Sequence, residues 1–407
     1  MWRRYGETSY TVLVVGVITV EVLALSVLTW SFTFRLFGLG FATEVEGTLI
    51  AAVAVTAAAL VALTMYILGY HTLSVARDRR SVGRLEMWIE RWVRALYDGD
   101  PPPRPPLPRD AMEAGLDLRE LLKGEEGRDL TALLEAAGVG ESLLGQLGAH
   151  RLTVRLEALD GLAKARLPGT FGAVLEHLAD SRPAVRLMAA RALARTLAEW
   201  TPGPTRDQAV VDFAAGLERA DLPPGAAGET LQLLEATAPE VLSRLLGQVP
   251  PPVPLLKAAL DAAGRLGLAG FSQSIVPLIT HHDREVRAAA LRALGRLGRV
   301  PPGARDAIVI ALNDDTEFVR IQAARAAGRL PQRLGTPLLY QSMGDSSWWV
   351  RKASGEALLR LGTRGIAALR KASRNHTDGF ARDMAAQVLL DAGLGQVRPE
   401  AQIQESA

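Results

Sequence analysis

The chain has 407 residues, with 46 Lys and Arg against 44 Asp and Glu, so its net charge of +2 points to no partner class by bulk electrostatics. That length exceeds one ordinary core and leaves a repeat array or several domains. Cysteine is absent, which excludes disulfides, thiolate zinc sites, haem thioethers and cysteine nucleophiles, and suits a reducing compartment.

In chain order, residues 11–34 are apolar apart from Glu21 and small hydroxyls, and residues 49–70 carry no charge. Each run can cross a hydrocarbon core of roughly 30 Å, so residues 1–72 read as a two-span transmembrane hairpin. The first run is too long, and its end too poor a cleavage site, for a usual leader peptide. Arg3 and Arg4 precede the spans, and Arg77, Arg79, Arg80 and Arg84 follow them. The positive-inside rule then predicts a multi-pass protein of the inner membrane with both termini cytoplasmic. Glu21 lies near mid-span, where a carboxyl either meets a membrane partner or is protonated and bonds to the second span. Ala54, Ala58 and Ala62 give that second span a smooth face for the first span or for a separate membrane protein.

Residues 73–98 hold an amphipathic helix. Leu85, Trp88, Ile89, Trp92 and Leu96 share one face. Trp88 and Trp92 with Arg84 and Arg91 suit anionic lipid headgroups; docking on the following domain or on a partner is the alternative. Residues 99–110 are proline-rich, an extended spacer of about 3 Å per residue or an SH3-type ligand.

Beyond the spacer a dipeptide keeps returning. Val-Arg or a close variant stands at Val154-Arg155, Val185-Arg186, Val286-Arg287, Val319-Arg320, Val350-Arg351 and Ala381-Arg382, mostly 31 or 33 residues apart. Such a period marks a solenoid of helix pairs, each too small to bury its own apolar face. Val286, Ala289, Ala290, Ala293, Leu294 and Leu297 form the stripe of one second helix. Gly298 and Gly362 are candidate C-terminal caps. Six residues before the arginine stands Asp180, Asp314 or Asp345, with His281 and His376 in other repeats. An Asp there can cap the second helix and pair with an arginine of its own or the adjacent repeat.

These residues resemble the HEAT family, specifically the HEAT-like repeats also seen in phycobilisome lyases. The likeness rests on Asp314 with Val319-Arg320, Ala323-Ala324 and Ala327-Gly328, and on Asp345 with Val350-Arg351, Ala353, Ala357-Leu358 and Leu361-Gly362. The expected architecture is an all-α, HEAT-like alpha-solenoid of helical hairpins over residues 143–395. Units near 208–237 and 239–266 are weak, residues 111–142 form a degenerate cap, and 396–407 form a tail. The resemblance implies a scaffold or docking surface and says little about chemistry.

No catalytic motif or cofactor fingerprint is present, so no enzyme activity or cofactor is expected. His281-His282-Asp283 reads as a solvated turn rather than a metal site. Two surface features stand out as partner-binding candidates. One is a basic stripe at positions +5 and +9 from the Val-Arg arginine: Arg191 and Arg195, Arg292 and Arg296, Arg325 and Arg329, with Lys164 and Arg360 at +9 alone. It is either a solvated, locally paired face or a polyanion surface. The other is Trp348-Trp349, where sister repeats place Glu317-Phe318, Pro183-Ala184 and Arg284-Glu285; it is either an exposed hot spot or a pair with one ring packed against the next repeat.

The expected function is a membrane-anchored scaffold or adaptor that organises or regulates a partner protein. That partner would be a membrane protein, such as a polysaccharide glycosyltransferase. Two alternatives stay open. One is a lyase or chaperone acting on a chromophore protein. The other is polyanion or nucleic-acid binding through the arginines, with nucleic acid disfavoured because base-stacking aromatics are not interleaved.

Overall fold

The computed structural model describes residues 63–67, 83–247, 251–298 and 300–394, and every regular element among them is helical. The chain divides into two compact units. One takes in the residues up to Arg91 together with Arg109–Ala114; the other takes in Trp92–Pro108 and everything from Gly115 onward.

Two helices run through both units: α1 (83–97) and α2 (Arg109–Leu121). In the first unit Arg84 Nε donates to Asp110 Oδ2, and the Arg91 guanidinium lies 5.3 Å from the Trp88 ring centre. In the second unit Trp92 is fully buried. A Cβ on Gly115 would stand 2.9 Å from the Trp92 indole and 2.8 Å from Leu134, so glycine makes room for the ring. The expectation of Trp92 on a lipid surface is therefore corrected: its ring is core. The proline run between the helices is non-helical, and Pro103 is buried within it.

The expected membrane location is corrected as well. Among the described residues no helix is long and apolar enough to cross a membrane. A span needs about 20 predominantly apolar residues. The helices of the array have 17 residues at most and carry a charged face. The segments expected to span, with Glu21, lie outside the described residues apart from the short helical stretch 63–67. The multi-pass inner-membrane assignment with cytoplasmic termini is withdrawn.

After α3 (Gly124–Ala136), eight helix pairs follow among the described residues. They are Val139–Leu147 with Leu152–Ala165 (α4, α5), Phe171–Glu176 with Pro183–Glu199 (α6, α7), and Pro204–Arg219 with Pro224–Gln232 (α8, α9). Next come Ala238–Leu245 with Val253–Arg265 (α10, α11), Ser272–Ile275 with Arg284–Arg296 (α12, α13), and Arg305–Leu312 with Glu317–Ala327 (α14, α15). The last two are Gln332–Ser342 with Trp348–Arg360 (α16, α17) and Thr363–Asn375 with Gly379–Asp391 (α18, α19). Second helices stack in sequence from α5 to α19, and α14, α16 and α18 stack as a first-helix layer. The weak units thus form complete pairs, α8–α9 and α10–α11.

Small residues set the spacing of this stack. A Cβ on Gly328 in one repeat would stand 2.9 Å from the Ala357 Cβ of the next, and one on Gly264 would stand 3.0 Å from Ala293 Cα. The stripe of α13 is buried at Val286, Ala289, Ala290, Ala293 and Leu294. Each large aliphatic side chain so buried contributes about 1.5–3 kcal/mol. The helices end where glycine allows a left-handed turn: Gly298 has φ 75° and Gly362 φ 70°.

The Val-Arg arginine ties repeats together through two sets of bonds. Its Nη1 donates to the carbonyl six residues back: Arg186 to Asp180, Arg287 to His281, Arg320 to Asp314, Arg351 to Asp345 and Arg382 to His376, at 2.7–3.0 Å. Its Nε and Nη2 reach the carboxylate of the next repeat. Arg287 meets Asp314 at 2.7 and 3.0 Å, and Arg320 meets Asp345 at 2.9 and 3.2 Å. Arg155 reaches Asp180 through Nη2 alone, and its buried Nε has no hydrogen-bond partner. The Asp does not cap the helix. It closes the preceding turn by accepting from the amide two residues on, at Arg182, Thr316 or Ser347. Capping falls instead to Ser347, Asp283 and Asp378.

Where His replaces the Asp, its ring repeats the turn and omits the charge. His281 Nδ1 accepts from Asp283 N and His376 Nδ1 from Asp378 N, each at 3.1 Å. The rung between α17 and α19 is therefore open. Arg351 is 8% exposed, its Nε is buried without a hydrogen-bond partner, and its guanidinium lies 5.3 Å from the Phe380 ring centre.

Candidate functional site

The exposed aromatic side chains of the last repeats gather at the first turns of second helices. Trp348 and Trp349 are 46% and 59% exposed, and Phe380 is 69% exposed. The two indoles meet edge to face, with ring centres 4.7 Å apart and planes at 87°. Ser347 anchors them from below, accepting from Trp349 N at 3.1 Å and Val350 N at 3.4 Å. Lys352 Nζ sits 5.2 Å from the Trp348 ring centre. Trp348 also forms one wall of a groove of about 550 Å³, with Leu359, Met384 and Val388 as apolar lining and Lys352, Glu356 and Asp391 at its edges.

The aromatic feature is longer than the tryptophan pair. Phe318, Trp349 and Phe380 each stand immediately before a Val-Arg or Ala-Arg dipeptide, so α15, α17 and α19 present an aromatic at the same register. Phe318 is half-buried, with Arg284 6.0 Å from its ring centre. Reading the residue just before the dipeptide in every repeat extends the row from Phe318 and Trp349 to Phe380.

About 10–16 Å farther along the second helices lies the basic stripe. Its N-terminal members are neutralised. Lys164 meets Asp117 at 3.0 Å, Arg191 meets Glu229 at 2.9 Å and Arg195 meets Glu120 at 3.2 Å. Arg292 and Arg296 share Asp261, at 3.6 and 3.1 Å. Arg325, Arg329 and Arg360 have no carboxylate within ion-pair distance among the described residues. These three line one concavity of about 290 Å³ with Arg292 and Arg296, completed by Leu291, Gly295 and Gln322. The Arg360 guanidinium is held below its ordinary range, first by desolvation and then by the charge of Arg329. Glu356 opposes that shift and Arg325 adds to it.

A second charged cluster is structural. Arg119 in α2 is fully buried; its Nε donates to Thr131 Oγ1 at 2.6 Å and its Nη1 to the Leu122 carbonyl at 3.1 Å. Arg119 and Arg166 both pair with Glu199. Burial lowers both guanidinium groups to about 10, and at Arg166 the charge of Arg119 adds to the shift. In the weak units, Arg206 of α8 takes over the rung by gripping both oxygens of Glu240 in α10, at 2.6 and 2.9 Å. Among the described residues no group of three His, Asp or Glu could hold a metal ion.

These helix pairs, stacked in sequence with side chains repeated at fixed register, define a helical-repeat protein. A family model for HEAT repeats matches residues 238–327 and 306–390, so this stretch carries HEAT repeats. It includes both the aromatic row and the arginine concavity. No curated protein matches the chain in sequence. Among solved structures the chain is similar to an engineered protein, at 22% identity over 76% of this chain and 89% of that one, with a TM-score of 0.34. It is similar to YibA of Escherichia coli at 16% identity over 66% and 98%, with a TM-score of 0.36. It is also similar to Kap121p at 12% identity over 70% and 42%, with a TM-score of 0.33. Overlaps this loose carry no functional reading across.

Proposed function

We propose that the chain is a scaffold that binds a partner protein through the aromatic edge of its C-terminal repeats. One observation carries this reading: two tryptophans, each more than a third exposed, are seated on a capped helix beside an open, largely apolar groove. Tryptophan is the residue type most often found at binding hot spots, and a large exposed apolar row is seldom kept without use. Edge-to-face contact and the Ser347 cap fix the rings in advance, which lowers the entropy cost of docking. Met384 in the groove wall adapts readily to an incoming apolar side chain.

A photo-crosslinker at position 349, with one at Arg374 as control, would capture the partner for purification. The purified partner is then titrated against the full-length protein and against Trp348→Ala/Trp349→Ala. A loss of about 2 kcal/mol or more, some thirtyfold in affinity, is expected for a hot-spot pair. Equal affinity for both proteins would overturn the reading. The narrower expectation of an integral membrane enzyme as partner drew on Glu21 and the two apolar segments, and is not carried further. No particular observation favours a chromophore lyase.

A further inference from the structure

We infer that the concavity lined by Arg292, Arg296, Arg325, Arg329 and Arg360 is a binding site for a phosphoryl group, held as a dianion between guanidinium forks. Five arginines face one volume of about 290 Å³, and Asp261 is the carboxylate that pairs with any of them at close range. Elsewhere along the stripe the array supplies a carboxylate to each basic residue, from Asp117 to Glu229, whereas here Asp261 serves both Arg292 and Arg296, and among the described residues none pairs with Arg325, Arg329 or Arg360. The site thus lacks negative charge that a ligand can bring.

The size and shape of the deficit select the ligand. A concavity of about 290 Å³ has room for one or two phosphoryl groups. A carboxylate brings one charge and two oxygens. A phosphate monoester brings nearly two charges and three acceptor oxygens into one small volume, which matches several convergent guanidinium groups. Arginine binds such oxyanions bidentately and stays charged even when partly desolvated. Gly295 leaves the wall open where a side chain would project, since a Cβ there meets nothing within 4 Å. No aromatic ring lines the cavity, so base stacking has no platform and a nucleic-acid strand is a poor fit. The site does not depend on the aromatic edge, and either can fail alone.

The test is titration calorimetry on the full-length protein with inorganic pyrophosphate, a phosphoserine peptide, the same peptide with Glu in place of phosphoserine, and a single-stranded oligonucleotide. Binding of pyrophosphate or of the phosphopeptide at least tenfold tighter than the Glu peptide is expected. Pyrophosphate ahead of the phosphopeptide points to a free phosphorylated compound; the reverse order points to a phosphorylated protein segment. Arg329→Gln/Arg360→Gln should weaken binding at least tenfold, and Gln322→Glu should do the same by adding an internal carboxylate. Trp348→Ala/Trp349→Ala should leave it unchanged. No binding of either phosphorylated probe, equal binding of the Glu peptide, or tighter binding of the oligonucleotide would each overturn the proposal.

Discussion

Arg195 in α7 and Arg329, two residues past the end of α15, occupy the same sequence register, nine residues after a Val-Arg arginine. Arg195 meets Glu120 at 3.2 Å, whereas Arg329 meets no carboxylate among the described residues and shares a cavity with four other arginines. The N-terminal repeats spend their basic residues on holding helices together. In the C-terminal repeats Arg325, Arg329 and Arg360 stay exposed and mutually repelling. Unpaired like charges gain a fold no stability, so the difference separates charge that supports the packing from charge that does not.

The sharpest way to break that comparison is to remove the carboxylate that serves the structural side. Glu199→Ala leaves buried Arg119 and part-buried Arg166 without their shared partner, and should cost about 3 kcal/mol in denaturant unfolding. A loss below about 1 kcal/mol would mean the cluster is not structural. Next in size is the closed rung. Asp314→Asn replaces a bidentate ion pair with a weaker amide contact and should cost about 2 kcal/mol.

The same rungs predict an acid limit. Desolvation pulls the Asp314 carboxyl upward, but Arg287 and the Thr316 amide outweigh it and hold it below the ordinary carboxylate value. Asp180 is lowered likewise, with the Arg182 amide and Arg155 outweighing desolvation. A carboxyl with a lowered folded pKa contributes stability above its unfolded value, near pH 3.9, and that contribution disappears as pH falls through the folded value. Melting temperature should therefore drop below pH 4, and Asp314→Asn should flatten the drop.

The open rung allows a gain. His376→Asp keeps the turn and supplies the carboxylate that Arg351 lacks, so the protein should become more stable by about 1 kcal/mol. No gain would show that the Phe380 ring already compensates the guanidinium. The smallest effect belongs to the exposed arginines. Arg329→Gln relieves like-charge repulsion and should raise stability by about 0.3 kcal/mol, whereas Arg195→Gln should lower it by a similar amount. Opposite signs at equivalent positions would confirm the division; equal signs would erase it.

Much of this architecture is legible in the residues. The 31-residue return of Val-Arg, the small-residue stripes and the turn Asp specify stacked helix pairs, because hydrophobic periodicity and turn chemistry are local. The weak units were harder to read, since Arg206 and Glu240 replace the usual rung with one between first helices. The aromatic row is half legible: Trp348-Trp349 stands out and Phe318 is visible at the equivalent position, whereas Phe380 sits beside the Ala-Arg variant of the dipeptide and is easily passed over. The role of Trp92 was misread because an amphipathic stripe with flanking arginines looks alike whether it faces lipid or protein. The missing side chain of Gly115 is what makes room for the ring in the core.

Sequence alone therefore determined the repeat, its period and the register of its basic and aromatic positions, all set by interactions within about one repeat. Tertiary structure decided which arginines are neutralised. Arg195 finds its carboxylate 75 residues away and Arg119 finds Glu199 80 residues away. Charge pairing at such separations depends on which helices the packed core brings side by side, and short-range patterns in the chain do not carry that information.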